Sequence, residues 1–246
     1  MKKLMITLFL LLISSTVFAE GHLVTYTIDG EEFEGYYISP QKKAPLVFMI
    51  HDWDGLTDYE IKRSQMLVEQ GYAVFAADMF GKGVRPTTIA DKKKLTGSLY
   101  RDRDRMRALL NGGFTAAQAQ GGNVENAIAM GYCFGGTVIL EYARSGKNLK
   151  GFAPFHGGLT TPEGQDHSQT KGKLLVLHGS ADTSVTMDDF AALTKELEQY
   201  QVNHEMITYS GAPHAFSVFG SERYRKEADE KSWARFLGYL KETFAE

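Results

Sequence analysis

The six residues Gly131-Tyr132-Cys133-Phe134-Gly135-Gly136 join two elements of opposite pattern. The apolar run at 126–132 predicts a buried strand, and Phe134–Arg144 has the apolar spacing of a helix. A sharp turn from strand to helix requires small residues two positions before and two after its tip, because the two backbones crowd together there. Gly131 and Gly135 occupy those positions. The stretch therefore predicts a nucleophile elbow with a cysteine at its tip.

The rest of the chain repeats this alternation of apolar strands and amphipathic helices. Such alternation predicts an α/β fold with a mostly parallel central sheet and helices on both faces. After an N-terminal β-hairpin centred on Asp29-Gly30, strands are predicted at 45–50, 72–77, 126–132, 151–155, 174–178 and 204–209. Helices are predicted at 59–70, over 88–120 with a break at Gly112-Gly113, at 134–144, at 188–200 and from about Ser221. Residues 20–246 are predicted to form a single domain.

The composition excludes several classes of protein. The 246 residues include 12% aromatic residues and carry a net charge of −3, which argues against a disordered chain and against a nucleic-acid binder with a basic field. A single cysteine cannot form an internal disulfide, a C-x-x-C redox motif or a cysteine-based zinc cluster. The seven histidines show no metal-ligand spacing. We therefore expect neither a metal nor another cofactor.

The first nineteen residues have the order of a secretory signal peptide. Lys2 and Lys3 precede an apolar run from Leu4 to Ile13, and small and polar residues follow as far as Ala19. The apolar run is too short for a comfortable membrane span. Cleavage after Ala19 would leave a chain that is exported, periplasmic or secreted, with no membrane anchor. Its single thiol would then lie in an oxidising compartment, where it must be buried or used.

A cysteine nucleophile needs a base, and the base needs a residue to orient it. In α/β-hydrolases the chain order is nucleophile, acid and histidine, with each residue in a loop that follows a strand. Asp182 follows the strand LLVLH, and His214 follows the strand HEMITY within the loop SGAPHAF. We therefore predict the triad Cys133, Asp182 and His214. His156 also follows a strand, but it precedes every candidate acid, and we interpret it as a core or loop histidine.

Stabilisation of the reaction's oxyanion requires two backbone donors. One is the N–H group of the residue after the nucleophile, Phe134. The other comes from the loop after the first long core strand, here residues 51–56 with the sequence HDWDGL.

These motifs together resemble those of the dienelactone hydrolase family. The likeness runs from about Pro45 to the C-terminus, and it is carried by PLVFMIHDWDGL, EQGYAVFAADMFGKG, GYCFGG, HGSADTSV and YSGAPHAF. The resemblance implies an α/β-hydrolase fold and hydrolysis through a thioester on Cys133, with Asp182 and His214 in the triad. It also implies that Trp53 and Phe134 supply the oxyanion amides.

Two positions depart from the family pattern. The family has a glutamate that meets the resting thiol, and Asp52 stands at that place with one methylene fewer. We interpret Asp52 either as a thiol gate or as a structural carboxylate of the loop. The dienelactone enzymes bind the substrate carboxylate with an arginine and a serine. Arg85 is a candidate for the arginine, whereas Ala215 replaces the serine, so dienelactone itself is not secured as the substrate.

The sequence thus predicts a cofactor-free hydrolase whose partner is a small-molecule ester or lactone. A thioesterase or acyltransferase with the same triad remains an alternative, because the choice of acceptor depends on the shape of the pocket. A different class also remains open, namely a binding or redox-responsive protein whose exported thiol is oxidised. Turnover of small esters, and its loss in Cys133→Ala, separates this class from the hydrolases.

Overall fold

The computed structural model describes residues 20–245, so the predicted signal peptide at 1–19 lies outside the described residues. The described part contains eight strands and six helices. The strands are β1 His22–Ile28, β2 Glu31–Ile38, β3 Pro45–Ile50, β4 Ala73–Ala77, β5 Asn123–Tyr132, β6 Gly151–Phe155, β7 Lys173–Gly179 and β8 His204–Tyr209. The helices are α1 Asp58–Val68, α2 Ile89–Arg101, α3 Arg103–Ala119, α4 Phe134–Arg144, α5 Met187–Gln199 and α6 Lys226–Ala245.

All eight strands belong to one sheet in the order β1-β2-β4-β3-β5-β6-β7-β8. β1 and β2 form the predicted antiparallel hairpin, whose turn has positive φ angles of 51° at Asp29 and 83° at Gly30. β2 is antiparallel to β4, and every other neighbouring pair is parallel. The predicted mostly parallel sheet with an N-terminal hairpin is therefore confirmed.

The alternation of side chains along each strand divides the core into two layers. In β3, Leu46, Phe48 and Ile50 pack on the face covered by α2, α3, α4 and α5. Val47 and Met49 pack on the opposite face, against α1 and α6. Because both faces are covered, β3 must be apolar at every position, as its sequence PLVFMI is.

The helical region at 88–120 does not break at Gly112-Gly113, so that prediction was wrong. The break is at Asp102, which ends α2 and caps α3 by accepting a hydrogen bond from the Arg105 N–H group at 2.9 Å. Gly112 and Gly113 lie inside α3, where they allow close packing. A Cβ atom on Gly112 would overlap the side chain of Ile28, and one on Gly113 would crowd Ala77.

The last helix begins at Lys226 rather than near Ser221. Residues 221–224 instead form a turn, in which the Tyr224 N–H group donates to the Ser221 carbonyl at 2.9 Å. Among residues 20–245, no helix has both the length and the hydrophobicity that crossing a bilayer requires.

The parallel strands end at one edge of the sheet, and polar side chains follow several of those ends. Asp52 follows β3, Cys133 follows β5, His156 follows β6, Asp182 follows β7 and His214 follows β8. In open α/β sheets this edge is where ligands bind.

Candidate active site

Cys133 stands alone between β5 and α4 in a strained backbone conformation. Its φ is 50° and its ψ is −112°, a region that residues with a side chain rarely adopt. The flanking glycines make this possible. A Cβ atom on Gly131 would overlap the Gly135 carbonyl group, and one on Gly135 would overlap the carbonyl oxygens of Ile50 and His51. The elbow therefore packs backbone to backbone against the end of β3.

The structure brings Cys133, His214 and Asp182 together. His214 Nε2 lies 3.0 Å from Cys133 Sγ, and His214 Nδ1 lies 2.7 Å from Asp182 Oδ2. The three residues come from loops after β5, β7 and β8, separated by 49 and 32 positions in the sequence. Cys133 is half-buried, so its sulfur is held in place and can still be reached.

Asp182 is fixed by its own loop. Its Oδ1 accepts hydrogen bonds from the N–H groups of Ser184 at 2.8 Å and Val185 at 2.9 Å. Burial favours the neutral carboxyl group, but these bonds and the bond to His214 outweigh it and lower the pKa of Asp182. Asp182 thus stays ionised, and its other oxygen, Oδ2, points at His214.

His214 is held in its charged form. Burial alone would lower its pKa, but the hydrogen bonds to Asp182 and Cys133 raise the pKa of His214 to about 10. At neutral pH the ring is therefore an imidazolium. An adjacent imidazolium stabilises a thiolate, which is the nucleophilic form of cysteine.

Two backbone N–H groups near the elbow, those of Trp53 and Phe134, have no hydrogen-bond partner among residues 20–245. Phe134 is the first residue of α4, where backbone donors have no partner within the helix. Trp53 lies in the loop after β3, against which the elbow packs through Gly135.

The loop after β3 is anchored by His51. His51 Nε2 accepts a hydrogen bond from the Met79 N–H group at 3.0 Å, so the proton of the neutral ring is on Nδ1 and is donated to the Asp52 carbonyl. Burial lowers the pKa of His51, which keeps the ring neutral. Lys92 of α2 adds an ion pair with Asp54 and lies over the Trp53 ring, 5.2 Å from its centroid.

Asp52 lies beside His214 without a bond to the thiol. Its Oδ1 accepts the Asp54 N–H group at 2.7 Å, and its charge interacts with that of His214. Burial raises the pKa of Asp52 to about 6. Glu60 of α1 is fully buried near it, and burial followed by the charge of Asp52 raises the pKa of Glu60 to about 8. Two carboxyl groups therefore interact on one side of the site.

Arg85 is bound elsewhere. Its guanidinium group donates to the Val84 carbonyl at 2.8 Å and lies 3.7 Å from the Glu34 carboxylate of β2. In the described part of the chain, Arg85 makes no hydrogen bond or ion pair with Cys133, Asp182 or His214. Its side chain does lie against the loop after β3, since a Cβ atom on Gly55 would come within 3.0 Å of Arg85 Cδ. Ala215, beside His214, has a positive φ of 61°.

Sequence reasoning missed one polar contact of the cysteine. His156 is fully buried, and its Nδ1 lies 3.2 Å from the Cys133 nitrogen. Its Nε2 lies 2.8 Å from Ser217 Oγ. The position of His156 at the end of β6 was a usable signal, because β6 is the neighbour of β5 in the sheet. Ser217 carried no signal in the sequence.

No group of three or more histidine, cysteine, aspartate or glutamate side chains within residues 20–245 is arranged to hold a metal ion.

Comparison with known proteins identifies the family of the chain. The model of the dienelactone hydrolase family matches residues 33–244. Two bacterial relatives are both named "Putative carboxymethylenebutenolidase". The protein of Escherichia coli is 23% identical over 226 residues, which cover 87% of this chain and 83% of the relative. The protein of Synechocystis sp. is 28% identical over 241 residues, which cover 89% and 96%.

A solved structure is also similar, that of a dienelactone hydrolase-like promiscuous phosphotriesterase from metagenomic libraries. It superimposes with a TM-score of 0.85 at 26% identity, covering 92% of this chain and 98% of the other. The family model spans most of the chain. The chain therefore belongs to the dienelactone hydrolase family and is a hydrolase with the α/β-hydrolase fold.

Proposed function

We propose that the protein hydrolyses a small carboxylic ester or lactone through a thioester formed on Cys133. One observation carries the proposal. The sulfur at the strained elbow is 3.0 Å from His214 Nε2, and the other nitrogen of that ring is 2.7 Å from Asp182. A nucleophile, a base and an orienting carboxylate at these distances form a triad. The names of the relatives support an ester or lactone as the substrate.

In the first half-reaction, the Cys133 thiolate attacks the carbonyl carbon of the substrate. The oxyanion that forms accepts hydrogen bonds from the N–H groups of Phe134 and Trp53. As the tetrahedral intermediate collapses, the bond to the leaving oxygen breaks and that oxygen takes the proton of His214. The acyl group stays on sulfur as a thioester, and with a lactone the alcohol remains part of the same molecule.

In the second half-reaction, neutral His214 removes a proton from water, and the water oxygen attacks the thioester carbonyl. The same two N–H groups stabilise the new oxyanion. Its collapse breaks the carbon–sulfur bond and releases the acid, which restores the thiolate beside the imidazolium. Asp182 stays ionised throughout and holds His214 with Nδ1–H directed away from the sulfur.

Asp52 and Arg85 have narrower roles in this proposal. The buried Asp52 carboxyl lies near His214 and the elbow, a position that suits a residue meeting the resting thiol or the entering substrate. Arg85 reaches a substrate carboxylate only if its guanidinium group leaves Glu34. Arg85→Ala is therefore expected to raise KM for substrates that carry a carboxylate and to leave uncharged esters unaffected.

The test of the function is turnover of 4-nitrophenyl acetate and of small lactones by purified protein. Cys133→Ala is expected to lose at least about a thousandfold in kcat, the scale seen when a nucleophile of a triad is removed. Ser145→Ala, at the far end of α4, is the control and is expected to keep full activity. An acid-quenched reaction should carry the acyl mass on the peptide with Cys133. Retention of activity in Cys133→Ala would refute the assignment.

The same experiments separate the alternatives. Faster turnover of acyl thioesters, or transfer to an added alcohol instead of water, indicates a thioesterase or an acyltransferase. A phosphotriester belongs in the substrate panel, because a solved relative is described as a promiscuous phosphotriesterase. No turnover, together with oxidised Cys133 in protein taken from cells, indicates a redox-responsive protein.

We also propose that the protein acts outside the cytoplasm, after removal of residues 1–19. The order of basic, apolar and small residues at the N-terminus supports this. The intact mass of protein purified from cells is expected to correspond to a chain that begins at Glu20. A chain that retains Lys2 and Lys3 would contradict export by cleavage.

A further inference from the structure

The backbone N–H group of Cys133 bonds to a histidine other than the one that contacts its sulfur. Its N–H group is shared between the Phe155 carbonyl, at 3.0 Å, and His156 Nδ1, at 3.2 Å. An N–H group can donate only to a nitrogen that carries no proton, so His156 Nδ1 is the acceptor. In a neutral ring the single proton is then on Nε2.

The second nitrogen of His156 begins a chain of buried hydrogen bonds. Nε2 donates to Ser217 Oγ at 2.8 Å, and Ser217 Oγ lies 3.1 Å from the Tyr59 hydroxyl. The Tyr59 hydroxyl accepts from Arg63 Nε at 3.3 Å, and Arg63 forms an ion pair with Asp229. We name these residues, from His156 to Asp229, the histidine relay.

The rest of the histidine relay is compatible with a proton on His156 Nε2. Arginine has donors only, so the Tyr59 hydroxyl must accept from Arg63. It has one proton to give, and the Ser217 carbonyl lies 3.2 Å away. The Ser217 hydroxyl can then donate to Tyr59 and accept from His156. The relay thereby offers Ser217 Oγ as the acceptor for His156 Nε2–H, in agreement with the tautomer that the Cys133 N–H group requires.

The surroundings of His156 keep its ring neutral. It is fully buried, and the charged or titratable groups around it include His214, Asp182 and His178. The Tyr132 ring packs against it with its centroid 5.9 Å away, and Cys133 is its hydrogen-bonded neighbour. Burial, and then the positive charge of His214, hold the pKa of His156 well below its ordinary value. The ring centroids of His156 and His214 are 5.5 Å apart in an edge-to-face arrangement.

We propose that His156 is a positioning residue for the nucleophile, and that Ser217 fixes the tautomer in which His156 Nδ1 binds the Cys133 N–H group. This inference rests on the proposed function, because it concerns Cys133 as the attacking group. The opposite tautomer would place an N–H group against the Cys133 N–H group, and one bond that holds the strained elbow would be lost. His156 also presents an uncharged edge to the imidazolium of His214.

The test is Ser217→Ala, with Ser64→Ala as the matched control. Ser64 is equally buried, and its hydroxyl bonds to the Glu60 carbonyl within α1, outside the histidine relay. Three measurements are made on each variant. They are the rate of Cys133 alkylation by iodoacetamide from pH 5 to 9, kcat and KM for 4-nitrophenyl acetate, and the imidazole ¹⁵N shifts that report the tautomer of His156.

Ser217→Ala is expected to lower both the alkylation rate and kcat by about tenfold, the effect of one buried hydrogen bond, with KM within about twofold. The His156 signal should change from pure Nε2–H to a mixture of tautomers. Ser64→Ala should match the wild type in all three measurements, even where its melting temperature falls. Ser217→Ala with unchanged alkylation, kcat and tautomer would overturn the proposal.

If Ser217→Ala does not fold, Tyr59→Phe tests the same relay one bond farther away. It is expected to give the same changes at a smaller size, about threefold, because His156 still has Ser217 as its acceptor. Wild-type tautomer and rates in Tyr59→Phe would then count against the relay. Alkylation and ¹⁵N shifts require no ester substrate, so they report on the relay even if the proposed hydrolysis fails.

Discussion

His214 and His156 both contact Cys133, at different atoms, and they differ in charge. His214 meets the sulfur at 3.0 Å, and His156 meets the backbone nitrogen at 3.2 Å. The partner of His214 is the Asp182 carboxylate, which raises the pKa of His214 to about 10 against the effect of burial. The partner of His156 is the Ser217 hydroxyl, and with no carboxylate bound to its ring, burial lowers the pKa of His156 far below its usual range.

The comparison shows that the atom bonded to the second ring nitrogen decides what a buried histidine can do. A carboxylate at that nitrogen allows the ring to give and take a proton. A hydroxyl at that nitrogen leaves the ring neutral and fixed in orientation. Two imidazolium rings at this distance would repel each other, so the neutrality of His156 also helps His214 to stay charged. A charged His214 at the sulfur and a neutral His156 at the backbone nitrogen can therefore both contact Cys133.

The largest expected effect comes from removing the difference between the two histidines. In Asp182→Asn, an amide replaces the carboxylate, so only the contact with Cys133 still opposes burial and the pKa of His214 falls. The imidazolium at neutral pH is lost, and the ring can take the wrong tautomer. We expect kcat to fall by about 10³- to 10⁴-fold. The rate of Cys133 alkylation at neutral pH should fall, because an adjacent imidazolium stabilises the thiolate, and iodoacetamide labelling measures this rate.

The control for this variant is Asp189→Asn on the first turn of α5. Asp189 is bonded to Thr186 in a capping box and belongs to no bond around Cys133. It should lower the melting temperature slightly and leave kcat unchanged. If Asp182→Asn kept wild-type kcat, the carboxylate would not distinguish the two histidines and the triad assignment would fail.

The triad partners of Cys133 and the histidine relay differ in how far the sequence could predict them. Asp182 and His214 each follow a strand in a loop rich in small residues, so chain order and local pattern were enough to select them. The elbow was predictable because backbone crowding requires glycine two positions before and two positions after Cys133, at Gly131 and Gly135. These are local constraints, and they leave a pattern in the sequence.

The histidine relay leaves no such pattern. It joins residues from four separate segments, namely His156, Ser217, the α1 residues Tyr59 and Arg63, and Asp229 of α6, and each residue type alone fits a core or loop position. The break at Asp102 was missed for a related reason. Two adjacent glycines are a strong local signal for a helix break, but the packing of α3 against Ile28 and Ala77 requires glycine there. Tertiary contact overrode local propensity.

A smaller effect is expected from moving Cys133 away from both histidines at once. In Gly135→Ala, the new Cβ atom would overlap the carbonyl oxygens of Ile50 and His51, so the elbow must shift. We expect a loss of about 3 kcal/mol in the free energy of unfolding, measured by urea denaturation, because backbone atoms cannot rotate away. Both the Sγ and the N–H contacts of Cys133 should loosen, so the rate of Cys133 alkylation at neutral pH should fall.

Gly97→Ala is the matched glycine control. Gly97 lies inside α2, where a Cβ atom would meet only the end of the Arg101 side chain, at 3.2 Å. Alanine in an exposed helix interior should stabilise the protein by about 0.5–1 kcal/mol. If the two substitutions had equal effects on stability, close backbone packing would not be what holds the elbow.

The smallest expected effect concerns Asp52, the second carboxyl near His214. The pKa of Asp52 is about 6 in the folded protein, above its ordinary value, so the stability linked to its protonation is full below pH 4 and is lost as pH rises through 6. Asp52→Asn removes this loss. At pH 8 it should raise the free energy of unfolding by about 2 kcal/mol, because no buried charge remains at position 52. The gain is smaller than the whole loss, because the amide oxygen accepts the Asp54 N–H group less strongly than the carboxylate does.

At pH 4 the Asp52→Asn variant and the wild type should be equally stable, because both carry a neutral group at position 52. Urea denaturation at the two pH values measures this difference. A destabilised variant at pH 8 would mean that the charged Asp52 is held by a favourable partner. In that case the pairing of His214 with Asp182 alone would not describe the charged side of Cys133, and Asp52 would have to be added to it.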